Sequence, residues 1–108
     1  MLNFDNMTLE EINEKGAEYY ENEDYNSAFL CFNYAAELGY AVAQQNLAIC
    51  YENGYGVEEN QEEAVIWYRL AAEQGKALSQ YNLALCYKNG EGIEQNQKEA
   101  VIWYRLAA

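Results

Sequence analysis

The stretch from Asn46 to Ala72 recurs from Asn82 to Ala108, 36 residues further on. The first copy reads NLAICYENGYGVEENQEEAVIWYRLAA and the second NLALCYKNGEGIEQNQKEAVIWYRLAA; 21 of 27 positions are identical, and the differences include Ile/Leu and Val/Ile exchanges. A period of this length marks a chain of stacked supersecondary units, none of which can bury its apolar face alone. The same offset reaches backwards. Cys31-Phe32-Asn33-Tyr34-Ala35-Ala36-Glu37 falls on Trp67-Tyr68-Arg69-Leu70-Ala71-Ala72-Glu73, Gly39 falls on Gly75, and Asn46 on Asn82. An earlier, more diverged unit therefore precedes the two copies. Its first half, around Gly16-Ala17-Glu18-Tyr19, reaches Ala28 by a connection four residues shorter.

Each unit reads as two helices. Leu47 and Tyr51 lie one turn apart, and Gly54 can take the left-handed conformation that ends a helix. After the loop Tyr55-Gly56-Val57-Glu58-Glu59, Asn60 caps the next helix, with Glu63 three residues on to complete a capping box. Ala64, Tyr68 and Ala71 then recur at helical spacing, with Val65, Trp67 and Leu70 widening the apolar band, and Gly75 closes the unit. Gly90, Asn96, Glu99, Ala100, Tyr104 and Ala107 repeat the scheme. In the first unit Thr8 and Glu11 form the opening box, Asp24 caps the second helix and Gly39 ends it. The expectation is all-α: one domain over residues 1–108, an α-solenoid of three antiparallel helix pairs spanning 8–39, 40–75 and 76–108, with helices of about 12–15 residues. The second helices are apolar around much of their circumference, as a helix wedged between its partner and the next unit requires. Trp67, Trp103 and most tyrosines are expected in the core.

Charge and chemistry narrow the function. The net charge is −12, so nucleic acid and anionic membrane are excluded as partners, both needing clustered Lys and Arg. With no histidine there is no ordinary general base at neutral pH and no Ser-His or Cys-His pair. Cys31, Cys50 and Cys86 are an odd, well-separated set, which argues for a reducing, cytoplasmic setting rather than a disulfide framework; Cys50 and Cys86 are equivalent positions on apolar helix faces and read as buried thiols. The start of the chain has neither the basic nor the apolar run of a secretory signal. Zinc lacks ligands, and Glu58, Glu59, Glu62 and Glu63 lack the spacing of a calcium loop. Gly54-x-Gly56 and Gly90-x-Gly92 resemble phosphate loops only superficially: they follow helices, not strands, and lack the Lys-Ser/Thr. No enzyme, cofactor or metal is expected.

At Asn46, Leu47, Tyr51, Gly54, Gly56, Val57, Ala64, Trp67, Tyr68, Ala71, Ala72 and Gly75, and again from Asn82 to Ala108, the chain resembles the Sel1-like repeat family, relatives of the tetratricopeptide repeats. Ala48 and Ala84 stand where that family usually has glycine. The first unit looks more like a plain tetratricopeptide repeat, with Gly16, Tyr19, Ala28, Phe32 and Ala35 at its small and large positions. The resemblance implies a right-handed superhelix whose first helices line a concave face, and a scaffold or adaptor role. Fold alone names no ligand.

That registration puts one stripe of each first helix into the groove: Glu10, Asn13, Glu14, Ala17, Tyr20 and Glu21; Val42, Gln45, Asn46, Ile49, Glu52 and Asn53; Leu78, Tyr81, Asn82, Leu85, Lys88 and Asn89. Of these, Asn13, Ala17, Tyr20, Gln45, Ile49, Glu52, Asn53, Tyr81, Leu85, Lys88 and Asn89 are the candidate binding residues, the amides suited to bonding an extended backbone and the tyrosines giving contact area at low entropic cost. Asn46 and Asn82 are expected to be structural, bonding main chain at the junction between units. Only Lys88 is basic, so a neutral or basic protein segment is the expected partner rather than an acidic tail. Charge also runs along the chain, net −8 over residues 1–39, −5 over 40–75 and +1 over 76–108. With the last helix ending inside its motif, that gradient raises a second expectation: a building block, natural or engineered, that associates head to tail with copies of itself.

Overall fold

The computed structural model describes residues 2–108. Among them stand six helices and no strand: α1 (Leu9–Glu21), α2 (Tyr25–Glu37), α3 (Ala41–Asn53), α4 (Gln61–Glu73), α5 (Ala77–Asn89) and α6 (Gln97–Ala107). Each packs chiefly on its neighbours in sequence, first within a pair and then across to the next pair. The result is a helical-repeat solenoid measuring 44 × 25 × 20 Å.

The boundaries follow local chemistry. Thr8 and Glu11 form a complete capping box: the Thr8 hydroxyl accepts from the Glu11 amide at 3.1 Å, and the Glu11 carboxylate accepts from the Thr8 amide at 2.8 Å. Those bonds favour the charged form and hold the Glu11 carboxyl below its usual range. Asp24 accepts from the Ser27 amide. At α4 and α6 only half of the expected box forms. Asn60 and Asn96 accept from the amides of Glu63 and Glu99, both at 3.1 Å. Their own N–H groups do not turn to those glutamates; they donate to the carbonyls of Tyr51 and Tyr87 at 2.8 and 2.9 Å. A loop that doubles back onto the first helix supplies a better-placed acceptor than a flexible carboxylate. The cap thereby ties each helix pair together as well as starting its second member.

Gly54 and Gly90 end α3 and α5 in the left-handed conformation, φ 75° and 69°. The second glycine of each G-x-G does different work. Gly56 and Gly92 also have positive φ, and a Cβ at either would lie 2.2 Å from the Tyr25 carbonyl oxygen or 2.3 Å from that of Gln61. Each marks the spot where the loop of one unit lies against the start of the preceding second helix. The G-x-G motif is thus a joint between units, not a cradle for phosphate.

The interior is rich in alanine, which lets helix backbones approach closely. Ile12, Cys31, Phe32, Leu47 and Cys50 anchor one cluster, and Val65, Tyr68, Leu83, Cys86 and Tyr87 the other. Helix α3 serves both, giving Leu47 and Cys50 to the first and Ala48 to the second. Burial comes from the following unit: Val65, under the Gly92–Ile93 loop, is 4% exposed, whereas its equivalent Val101 is 47% exposed. Trp67 lies half-buried between the two clusters. The tyrosines divide: Tyr68 and Tyr87 are buried, while Tyr20, Tyr34 and Tyr81 are exposed.

All three thiols are buried and free. Desolvation raises Cys31 and Cys86 to about 11 and Cys50 to about 12. Because the folded-state values lie that high, moving from pH 7 to pH 9 creates almost no thiolate in the native protein. Modification by a disulfide reagent is therefore expected to be slow and nearly flat across that range, and to become complete and fast on adding denaturant. Rapid native-state reaction at any of the three, followed by mass spectrometry, contradicts this burial.

Candidate protein-binding groove

The first-helix side of the solenoid gathers the candidate residues unequally. Ala17 and Tyr20 on α1 and Ile49 on α3 come together around one pocket of about 190 Å³, completed by Phe32, Asn46 and Cys50. Leu85 is half-buried on α5, and Lys88 and Asn89 are exposed. Tyr81 is exposed too, its ring edge-on to Tyr104 with centroids 5.6 Å apart.

The candidate amides are already engaged within the chain, the buried and half-buried ones across units and the exposed ones by a single local bond each. Asn13 is buried and accepts from Asn46 Nδ2 at 3.0 Å. Gln45 accepts from the Ser79 hydroxyl at 2.9 Å. Asn53 donates to the Ile49 carbonyl of its own helix, and Asn89 donates to Glu91. The bond from Asn46 joins units, as a structural role demands, but it runs to a side chain and not to main chain. Deeper amides do bond main chain: Gln44 and Gln80 donate to the carbonyls of Ala36 and Ala72 at 3.3 and 3.1 Å. A buried amide left unpaired loses about 1–3 kcal/mol, so a stack of helix pairs uses its amides internally.

Of the six residues that line the pocket, four differ from their equivalents one junction later: Ala17 and Ile49 stand for Ile49 and Leu85, and Tyr20 and Phe32 for Glu52 and Tyr68, the pair that decides the polar contacts. Between α3 and α5 the equivalents of Tyr20 and Phe32 are Glu52 and Tyr68. The fully buried Tyr68 donates its hydroxyl to the Glu52 carboxylate at 2.8 Å. Desolvation, then the bond to Glu52, pushes the Tyr68 hydroxyl above the ordinary tyrosine range. Between α1 and α3, Phe32 has no hydroxyl and Tyr20 no carboxylate, so no polar group closes the gap. The Phe32 ring also lies against α1 so closely that a Cβ on Gly16 would be 2.7 Å from it.

An aromatic cluster walls one end. Tyr20 stands edge-on to Tyr25 and Tyr55, centroids 5.4 and 5.3 Å apart, and those two stack on each other at 4.7 Å. The Tyr55 hydrogen bond, then burial, raises the Tyr20 hydroxyl. The pocket is thus apolar, with its amide already engaged, and it suits an apolar side chain more than a charged one. Reading one first-helix stripe at a time misses Phe32, Tyr25 and Tyr55. The signal for Phe32 lies in the sequence, as the one Phe at a position that is Tyr in both later units.

Among the described residues no three His, Cys, Asp or Glu side chains cluster as metal ligands, and no helix is long and apolar enough to cross a membrane.

Comparison with known proteins places this geometry. A search of the curated proteins finds no match. Among solved structures, a Sel1 repeat protein from Oxalobacter formigenes is 41% identical, with a TM-score of 0.83 over 88% of this chain and 39% of that one. A protective antigen present in uropathogenic Escherichia coli strains, displaying an SLR fold, is 34% identical, with a TM-score of 0.88 over 92% of this chain and 22% of its own. The chain therefore spans well under half the length of either. Cysteine rich protein B of Helicobacter pylori, 20% identical with a TM-score of 0.72 over 92% of this chain and 85% of that one, shares the fold. The Sel1 repeat model matches residues 12–40, 41–76 and 77–108, the diverged first unit included. The chain belongs to the Sel1 repeat family.

Proposed function

We propose that this protein is a non-catalytic interaction scaffold whose first-helix face grips a segment of a partner protein by one apolar side chain, seated in the pocket between α1 and α3. Sel1 repeat proteins are in general protein-interaction scaffolds, and membership supports the coarse reading. The observation that carries the finer one is the pocket itself. Ala17, Tyr20, Phe32, Ile49 and Cys50, with the amide of Asn46, enclose about 190 Å³ of largely apolar space at the junction where the Tyr–Glu bond of the later unit is absent. Hydrophobic concavities beside aromatic side chains are where interface energy concentrates. Around it Glu10, Glu14, Glu18 and Glu21 are exposed on α1, so the segment is neutral or basic outside its apolar anchor.

The experiment is a peptide-array screen followed by NMR titration of the hits. Amide shifts are expected to centre on Ala17, Tyr20, Asn46 and Ile49, and hits to share an apolar residue with few acids near it. Hits whose shifts fall elsewhere, or that are predominantly acidic, overturn the reading.

A further inference from the structure

The solenoid carries a second apolar surface, on the side of the second helices turned away from the first. Leu30, Ile66 and Ile102 occupy one repeat position there, and Tyr34, Leu70 and Leu106 another. All six are 38–55% exposed. Stacking does not require apolar residues at these positions, since a polar side chain would be better solvated there.

On the first rung the chain itself shows what such a surface holds. Leu2 and Phe4 border one groove with Leu30 and Tyr34, and the Phe4 and Tyr34 rings lie 4.7 Å apart. The arm then turns away through Asn6, φ 62°, with the Met7 amide bonded to the Phe4 carbonyl at 3.2 Å. The spacing fits: Ile66 and Leu70, like Leu30 and Tyr34, are four residues apart on a helix, about 6 Å at about 1.5 Å per residue. Alternate side chains of an extended segment are about 6.6 Å apart.

On the second rung Ile66 and Leu70 border a groove of about 320 Å³ that shares those two positions with the first-rung groove and is completed by Val65 and the Gly92–Ile93 loop. Along α4 the exposed face runs Glu62, Ile66, Leu70, Glu73, an acid at either end of the apolar pair. The first rung has Asn26 in place of the first acid and the third has Lys98. Arg69 also lines this groove, and its guanidinium donates to the Tyr87 hydroxyl and lies 5.5 Å from that ring's centre.

We infer that the outer face of α4 is a second docking site, for an extended segment of a partner protein in which two apolar side chains two residues apart are flanked on both sides by basic ones. The acids lie about 6 Å and 4.5 Å beyond Ile66 and Leu70, one or two extended residues away, so bases alternating with the apolar pair meet Glu62 and Glu73. The arm of a second copy has the apolar pair but is followed by Asp5 and, over residues 8–39, a unit of net charge −7, which those acids repel.

The test uses fluorescent peptides titrated against the whole chain at low salt. Lys-Ser-Leu-Asn-Phe-Ser-Lys is expected to bind at least about tenfold more tightly than the same peptide with Glu at both ends, and the preference to shrink as salt rises. Ile66→Asp and the milder Ile66→Ser should each weaken binding about tenfold; half-exposed Ile66 leaves helicity intact in at least the second. Phe32→Tyr with Tyr20→Glu, on the other side of the solenoid, should change nothing, which separates this site from the first-helix groove. Equal binding of the two peptides, tighter binding of a peptide copying residues 2–6, or indifference to Ile66 overturns the inference; the second of these identifies a second copy as the occupant.

Discussion

Gly56→Ala and Gly92→Ala are each expected to destabilise the protein by about 3 kcal/mol, lowering the thermal midpoint by about 12 °C for a chain of this size. Two penalties combine. A left-handed residue with a Cβ costs about 1–2 kcal/mol. The Cβ would also overlap the Tyr25 or Gln61 carbonyl oxygen, 2.2 and 2.3 Å away, and relieving that requires the two units to separate, with a further loss of about 1–3 kcal/mol. Gly39 and Gly75 separate the terms. Their φ values are 94° and 93°, yet a Cβ there meets nothing within 4 Å. Gly39→Ala and Gly75→Ala therefore carry the backbone penalty alone, about 1–2 kcal/mol. Calorimetry on the four variants should give two clearly separated pairs. Four equal losses would show that the G-x-G joint is a turn like any other.

The architecture was legible because a 36-residue repeat, helix caps and terminal glycines all point the same way. What stayed hidden depends on where one unit meets another. Asn60 with Glu63 reads as a capping box, but the Asn60 amide is claimed by the Tyr51 carbonyl across the loop, a contact no local pattern encodes. The same holds for the amides. Asn13, Gln45 and Asn46 lie on the stripe expected for binding, and helical periodicity puts them there correctly. Periodicity gives direction, though, and not distance to the next unit: Asn46 reaches Asn13 and Gln45 receives Ser79, so those groups join the repeats together. The pocket was visible only as a difference. A consensus view of the repeat makes Phe32 and Tyr20 look like drift from Tyr68 and Glu52, whereas together they remove a hydroxyl and a carboxylate that bond to each other one unit later.

That difference can be reversed. Phe32→Tyr with Tyr20→Glu gives the first junction the pair found at the second, and Asn46 already stands where Asn82 does. The introduced hydroxyl points to the introduced carboxylate across the space an apolar anchor would use. Binding of groove ligands is expected to fall at least tenfold, about 1.4 kcal/mol, measured by titration calorimetry. Folding stability should stay within about 1 kcal/mol of the parent, because the new hydroxyl has its partner. Phe32→Tyr alone lacks that carboxylate, so it should be the less stable protein by about 1–2 kcal/mol. The order matters more than either value: the double variant folds better than Phe32→Tyr yet binds no better. If the double variant binds as the parent does, the pocket between α1 and α3 is packing imperfection and the ligand lies elsewhere on the face. If it recovers neither stability nor binding, the Tyr68–Glu52 bond is not what fills the later junction, and the physical account of why the first one is open fails with it.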